Sequence, residues 1–393
     1  MKNFILIPDS FKGTLSSREI CDIMASAIRK FVPDARIQSI PVADGGEGTV
    51  DAFLTALGGK KVCVPVTGPK FDKLEGFYGI LDEKKTVDEE NKSVKTAVVE
   101  MAACAGLPLV YNRKNPEKTT TYGVGELFLH AIQNGCRKII LGLGGSCTND
   151  AGTGAAAACG VQFYKENGKS FIPTGGTLHE IAKIDASEIN PLLKEVEIVT
   201  MCDINNPFCG PTGAAYVFAP QKGADAEMVQ RLDDGLRHCG KIIQRDLRKT
   251  DIFTLPGAGA AGGMGGGMHA FFGSKLQMGI ETVLDTVHFD TLLRDTDLVF
   301  TGEGKIDDQS LRGKVIWGIA GRTRRANVPL VVVTGDIGEN IDPIYDRGVT
   351  AIFSINHTAV PLSVARRRAR QDMASEMENL LCLLTLTDKS AVK

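Results

Sequence analysis

Short apolar runs alternate with longer amphipathic runs along most of the chain. Residues 3–7 and 36–42 predict two strands, because buried strands are short and rich in aliphatic residues. Between them, Ser16 and Glu19 match the capping box that begins many helices. Four apolar residues then recur at the spacing of one helix face: Ile20, Met24, Ile28 and Phe31. This alternation of strand and helix predicts an α/β fold.

The same alternation continues to the C-terminus and sets the order of the remaining predicted elements. Further strands are predicted in these segments: KVCVPV, RKIILGLGG, EVEIVTM, TDLVFTG, VPLVVVT and VTAIFSIN. Further helices are predicted in VDAFLTAL, YGVGELFLHAIQNG, residues 225–247 and KVIWGIAGRTRRA, and a last helix is predicted to begin near Pro361.

The order of the strands predicts two domains. The first two and the last three strands fit one parallel, doubly wound sheet, with a second α/β unit inserted between them. We place the first domain at residues 1–66 and 290–393, and the inserted domain at residues 67–289. The most polar stretch, residues 82–96, predicts a hairpin tip or insertion on the surface.

Composition excludes several classes of partner. The chain has 45 Lys and Arg against 47 Asp and Glu, a formal net charge of −2. It therefore lacks the excess of positive charge that binding to nucleic acid or to an anionic membrane requires. No apolar stretch is long enough for a membrane span, and the N-terminal residues do not form a signal-peptide core. The ten cysteines contain no C-x-x-C pair. We expect a reduced, cytoplasmic protein that is a monomer or a homodimer.

The 44 glycines are clustered in loops that follow predicted strands. Ligands of open α/β sheets bind at the carboxyl ends of strands, where glycine lets backbone N–H groups approach an anion. Each of these loops also carries a carboxylate, and Mg²⁺ is held by one or two carboxylates together with substrate phosphates. The loops are residues 8–13, 43–49, 142–154, 201–207 and 301–310. They predict a site for phosphate and a divalent metal.

Simpler interpretations of the same residues stay open. Aspartate and glutamate also favour turns and the first turns of helices, so each carboxylate could be structural. The single lysines near loops are read as solvated surface charges: Lys12, Lys222, Lys305 and Lys314. A P-loop and a serine-hydrolase elbow are absent from the sequence. The match to G-x-G-x-x-G at residues 257–262 leaves a nicotinamide-dependent dehydrogenase as an alternative, beside a purely structural role in close helix packing.

Several motifs together resemble the bacterial glycerate kinase type-1 family. They occur in order from residue 3 to about residue 320: PDSFKGTLS, ADGGEGTVDA, GLGGSCTNDAGTG, CDINNPFCGPTGAA, FAPQKGAD and VFTGEGKIDDQSLRGK. The resemblance implies ATP-dependent phosphorylation of D-glycerate with Mg²⁺, most often at the 2-hydroxyl. It also implies a Rossmann-like domain built from both chain ends, and an active site in the cleft between two α/β domains.

The resemblance also suggests roles for residues of the glycine loops. Asp203 is the first candidate for the base, or else a metal ligand, and Asp9 and Lys12 complete the catalytic set. The predicted substrate and phosphate ligands are Ser10, Asp44, Glu47, Gly144, Gly145, Ser146, Thr148 and Lys314. The predicted metal ligands are Asp150, Glu303 and Asp307. The sequence does not decide which carboxylate is the base.

Other functions remain compatible with the sequence. The acceptor could be the 3-hydroxyl of glycerate or a related small hydroxy acid. A glycerate-sensing protein without catalysis is a more distant alternative, since a kinase-like fold does not by itself imply activity.

Overall fold

The structure is a computed structural model that describes residues 1–86, 93–307 and 315–389. Lys314, a predicted phosphate ligand, lies outside the described residues. The predicted surface insertion at 82–96 and the polar loop at 301–310 lie partly outside them. None of the described helices is long and apolar enough to cross a membrane.

Strands and helices alternate through the described chain. The strands are β1 (Asn3–Leu6), β2 (Arg36–Ser39), β3 (Gly59–Thr67), β4 (Lys73–Leu81), β5 (Thr96–Glu100), β6 (Lys138–Gly142), β7 (Gln162–Tyr164), β8 (Lys183–Asp185), β9 (Glu197–Met201), β10 (Lys275–Gln277), β11 (Leu298–Thr301), β12 (Leu330–Thr334) and β13 (Ala351–Ser354). The helices are α1 (Ser17–Phe31), α2 (Thr49–Leu57), α3 (Ala102–Ala105), α4 (Tyr122–Gln133), α5 (Thr153–Ala158), α6 (Ala214–Phe218), α7 (Ala226–Leu247), α8 (Ala260–Phe272), α9 (Gly279–Thr286), α10 (Phe289–Leu292), α11 (Val315–Ala326), α12 (Pro343–Arg347) and α13 (Leu362–Lys389).

The chain divides into two compact units. The terminal unit comprises residues 1–43 and 280–393, and the inserted unit comprises residues 44–279. The domain boundaries predicted from the sequence, after residue 66 and before residue 290, remain a prediction.

Both chain ends form one sheet in the terminal unit. Its strand order is β13-β12-β11-β1-β2, and all of its described pairs are parallel. The predicted joint sheet of the first two and last three strands is therefore confirmed. Its three central strands are buried, because helices cover the faces of a parallel sheet, whereas the edge strands β2 and β13 are partly exposed. Core residues come from strands and from α1 and α13 alike: Leu6, Met24, Phe300, Val333 and Met373.

Helix α1 begins with the predicted capping box. The Glu19 backbone N–H donates to Ser16 Oγ over 3.2 Å, and the Ser16 N–H donates to Glu19 Oε2 over 2.9 Å. Each bond satisfies a backbone donor that has no partner inside the helix. The cap therefore fixes where α1 starts after the loop of β1.

Replacing Ser16 by alanine is expected to destabilise the first turn of α1 by about 1 kcal/mol. Hydrogen exchange of the Glu19 amide should become roughly fivefold faster, because local opening is then easier. Ser26→Ala is the matched control, since Ser26 Oγ donates only to the Asp22 carbonyl in the middle of the helix. Equal exchange rates in the Ser16 variant and the wild type would contradict the capping role.

The inserted unit contains a six-stranded mixed sheet in the order β10-β9-β6-β5-β4-β3. Strands β3, β4 and β5 pair in antiparallel fashion, whereas β5, β6, β9 and β10 run parallel. The loops after β6 and β9 consequently leave the sheet at the same edge. Two predicted site loops, 142–154 and 201–207, are thereby brought side by side.

The glycine-rich stretch at 257–273 forms the kinked helix α8 and the turns before it. Residues 248–259 contain no strand, so the strand that precedes a dinucleotide-binding loop is missing from this described segment. A Cβ on Gly262 would lie 2.2 Å from the Thr148 carbonyl oxygen, and one on Gly267 would lie 2.0 Å from the Ala151 oxygen. Close packing therefore accounts for these glycines, and the dehydrogenase alternative loses its support.

Candidate active site

A cavity of about 360 Å³ lies in the inserted unit at the carboxyl ends of β6 and β9. This volume is within the usual range for small-molecule sites. Its polar wall is formed by Asp44, Gly144, Gly145, Ser146, Asp203 and Lys222. Much of the remaining lining is apolar and includes Leu107, Phe218 and Ala260. Five of these six are predicted site residues and Lys222 is new, and Gln221 beside it also lines the cavity.

Two glycine loops meet at the cavity through their backbones. The Gly144 N–H donates to the Gly45 carbonyl over 2.9 Å. A Cβ on Gly144 would lie 2.5 Å from the Gly46 Cα, which is closer than a side chain tolerates. Glycine at position 144 therefore allows the loop after β2 to pack directly on the loop after β6.

The loop after β6 is held so that two backbone donors stay available. Two hydrogen bonds hold this loop. The Gly145 carbonyl accepts from the Leu107 N–H over 2.8 Å, and the Cys147 N–H donates to the Ala105 carbonyl over 2.9 Å. The N–H groups of Gly145 and Ser146 donate to no acceptor within the described residues. Unpaired N–H groups on a cavity wall are suited to bind phosphate or carboxylate oxygens.

Lys222 is the functional candidate that sequence reasoning missed. It ends a short 3₁₀ turn after α6 and is only 2% exposed, so its interpretation as a surface charge is wrong. Its Nζ donates to Ser146 Oγ over 2.8 Å and to the Thr148 carbonyl over 2.6 Å. Burial lowers the pKa of Lys222 to about 8. The sequence carried a weak signal that Lys222 is buried, because residues 213–221 before it carry no charge.

Asp203 lies two residues after the end of β9 and lines the cavity. Its Oδ1 accepts from the Gly279 N–H over 2.6 Å, at the start of α9. Asp44 is also exposed on the wall, and its Oδ1 accepts from the Gly46 N–H over 3.2 Å. The loops thus present two carboxylates to the same cavity.

Three predicted residues of the inserted unit do not line this cavity. Glu47 is exposed in the turn before α2. Thr148 is fully buried, and its Oγ1 has no hydrogen-bond partner among the described residues. Asp150 is fully buried as well. Their predicted ligand roles stay predictions.

The contacts of Asp150 point to a structural role. Its Oδ2 accepts from the backbone N–H of Thr121 over 2.8 Å and from the Thr121 hydroxyl over 2.9 Å. Gly152 and Gly154 donate further N–H groups to the carboxylate. Burial raises the pKa of Asp150, and these hydrogen bonds oppose the rise. The carboxylate therefore organises the start of α5 and the adjoining loop.

Asp150→Asn is expected to lower the free energy of unfolding of the inserted unit by about 1–3 kcal/mol, because an amide NH₂ would face backbone donors. Thermal unfolding should show the loss, while kcat per folded molecule stays near the wild-type value. The opposite pattern, an unchanged unfolding temperature with a large loss of kcat, would support the predicted role of Asp150 as a metal ligand.

The terminal unit brings a second set of predicted residues together. Loops that follow β1 and β11 are joined where the Asp9 N–H donates to the Gly302 carbonyl over 2.8 Å. Glu303 is buried, and its carbonyl accepts from the Thr334 hydroxyl at the end of β12. The members of this set are Asp9, Ser10, Lys12, Glu303 and Asp307. These loops lie at the carboxyl edge of the parallel sheet, where such folds bind ligands.

The carboxylates of the cavity fit a magnesium ion held partly by a substrate. Within the described residues, no group of three or more His, Cys, Asp or Glu side chains is arranged to hold a metal alone. Mg²⁺ does not need such a group, because it retains waters and binds one or two carboxylates together with phosphates. Asp44 and Asp203 both line the cavity, so either carboxylate is available to such an ion.

Known proteins with similar sequences and folds agree with this architecture. The model of the glycerate kinase family matches residues 4–385. The chain is 40% identical over 377 residues to a glycerate kinase from Bacillus cereus (strain ATCC 10987 / NRS 248), covering 96% of each chain. It is 38% identical over 388 residues to glycerate 2-kinase from Escherichia coli (strain K12), covering 98% of this chain and 99% of that one.

The fold is also similar to a solved structure. A crystal structure described as glycerate kinase 2 from Salmonella typhimurium LT2 matches with a TM-score of 0.84 and 38% identity, over 99% of both chains. The chain therefore belongs to the glycerate kinase family, which confirms the enzyme class predicted from its motifs.

Proposed function

We propose that the protein transfers the γ-phosphoryl group of ATP to the 2-hydroxyl of D-glycerate, giving 2-phosphoglycerate and ADP, with Mg²⁺ as the metal. The observation that carries this proposal is the cavity of the inserted unit. There a glycine loop with two available N–H groups lies beside two carboxylates. Positioning and charge neutralisation supply most of the catalysis in phosphoryl transfer, and these groups provide both.

Roles for the residues follow from their chemistry. Asp203 accepts the proton of the attacking hydroxyl, because a carboxylate is the usual group that orients a kinase nucleophile. The N–H groups of Gly145 and Ser146 bind anionic oxygens of a substrate. Asp44 would hold Mg²⁺ together with phosphate oxygens, and the bound ion would neutralise charge on the phosphates. Asp9, Ser10, Lys12, Glu303, Asp307 and Lys314 remain predicted ligands on the terminal unit.

The test is ATP-dependent phosphorylation of D-glycerate with Mg²⁺, coupled to enolase and pyruvate kinase without phosphoglycerate mutase. A signal shows phosphorylation at the 2-hydroxyl, because enolase accepts 2-phosphoglycerate directly. Release of ADP without that signal means that the 3-hydroxyl or another acceptor is phosphorylated. Absence of ADP with glycerate and related hydroxy acids would contradict the proposal. Chelation of Mg²⁺ should abolish turnover, and added Mg²⁺ should restore it.

Location and assembly belong to the same proposal. A cytoplasmic location is supported by the cysteines, since all ten lie in the described residues and none forms a disulfide. A monomer or a homodimer is the proposed assembly, and sedimentation analysis distinguishes the two.

A further inference from the structure

The buried ammonium group of Lys222 has no carboxylate partner within the described part of the chain. Its two hydrogen bonds go to neutral oxygens, the Ser146 hydroxyl and the Thr148 carbonyl. Burying a cation without a direct ion-pair partner is costly, and the carboxylate of Asp150 acts on this ammonium group only electrostatically, without a hydrogen bond to it. Proteins retain a buried charge that lowers folding stability where that charge binds a ligand.

The ammonium group is also hydrogen-bonded to the wall of the cavity, through Ser146 Oγ. Lys222 lines the cavity together with Gly144, Gly145 and Ser146. An ammonium group carries three donors, and two of them are used. The third donor remains for a bound molecule. Because the pKa is about 8, the group is still mostly protonated at neutral pH.

The neighbouring donors point to the same kind of ligand. Ser146 contributes a hydroxyl that already accepts from Lys222, so its own proton is available for donation. The N–H groups of Gly145 and Ser146 have no acceptor among the described residues. One cation and several neutral donors on one wall form a site for an anion with more than one oxygen.

We propose that Lys222 binds the anionic oxygens of a substrate in this cavity, either the carboxylate of glycerate or a phosphate of the nucleotide. This inference rests on the proposed function, whose two substrates both carry such oxygens. Lys222 is then a substrate-contacting residue, and its bond to the Thr148 carbonyl positions it.

Calorimetric titration of the intact protein with D-glycerate and, separately, with MgADP tests this role. Lys222→Met removes the charge and all donors at nearly constant volume. A lost hydrogen bond from a charged donor weakens binding by about ten- to a hundredfold. We expect that loss for one of the two ligands, which identifies the source of the anion, and unchanged affinity for the other. Equal affinity losses for both ligands, or none for either, would overturn the inference.

Two further variants separate charge from structure. Lys222→Gln keeps a neutral donor in the site, so it should show the same ligand selectivity and remains informative if the methionine variant does not fold. Lys114→Met is the matched control, because the exposed Lys114 Nζ donates to the carbonyl of the neighbouring residue Gln221 over 3.2 Å. Its affinities should equal those of the wild type. A comparable loss in the Lys114 variant would show that the segment, not the Lys222 charge, matters.

The titration of the wild type distinguishes this inference from the proposed function. If the wild-type protein binds neither D-glycerate nor MgADP, the proposed function fails and the inference fails with it. If it binds both and the Lys222 variants bind both equally well, only the role of Lys222 is overturned.

Discussion

Replacing Asp203 by asparagine is expected to lower kcat by about 10²–10⁴-fold, the range that a positioned general base contributes. Asparagine keeps an oxygen that can accept from the Gly279 N–H, so the start of α9 stays anchored. It cannot take up the proton of the attacking hydroxyl. The KM for glycerate should change far less than kcat, because the lost interaction belongs to the transition state.

The matched control is Asp225→Asn. Asp225 is also exposed, and its Oδ1 accepts from the Met228 N–H over 2.8 Å at the start of α7. This residue does not line the cavity, so kcat should stay at the wild-type value. Steady-state kinetics with the coupled assay, together with thermal unfolding of both variants, make the comparison. A wild-type kcat in the Asp203 variant would remove Asp203 from the role of base.

The second large effect is expected for Gly144→Ala. The new methyl group would lie 2.5 Å from the Gly46 Cα and 2.7 Å from the Gly46 nitrogen, so the two loops must move apart. Overpacking of this kind costs about 1–3 kcal/mol, and backbone atoms cannot relieve it by changing rotamer. Because both loops form the cavity wall, we expect a lower unfolding temperature and a loss of kcat/KM of at least about tenfold.

Gly235→Ala in the middle of α7 is the control for this variant. The nearest atoms to its new Cβ are the Leu178 Cβ at 3.3 Å and the Gly175 carbonyl oxygen at 3.5 Å, so the neighbouring segment needs to move by only a few tenths of an ångström. Alanine also favours the helix, so stability and activity should stay close to wild type. If the two alanine variants behave alike, the close approach of the glycine loops does not shape the site.

The coarse layout of the fold was predictable because its signals are local. Apolar runs and helical spacing depend on residues a few positions apart, and they placed β1, α1, α7 and α11 correctly. The joint sheet of both chain ends followed from strand order and the rules of parallel sheets. Helix α8 was missed, because its glycines are poor helix formers and only close packing requires them there.

The candidate site was only partly predictable. Loops rich in glycine and carboxylates pointed to the correct strand ends, and Asp44, Gly144 and Asp203 indeed share one cavity. Composition could not separate Asp150, whose carboxylate is engaged by backbone donors, from Asp203 on the cavity wall. Each is an aspartate after a strand, and only burial in the folded protein distinguishes them: Asp150 is fully buried, whereas Asp203 is exposed and lines the cavity.

The sequence by itself determined most helices and strands of the terminal unit, the shared sheet of the chain ends and the family. Tertiary structure alone decided which loops meet and which charges are buried. Lys222 illustrates the reason: its bond to Ser146 spans 76 positions of the chain, and no local pattern carries that contact. Burial of a charge depends on what packs around it from distant segments, so the cation that we assign to the site became visible only in the folded protein.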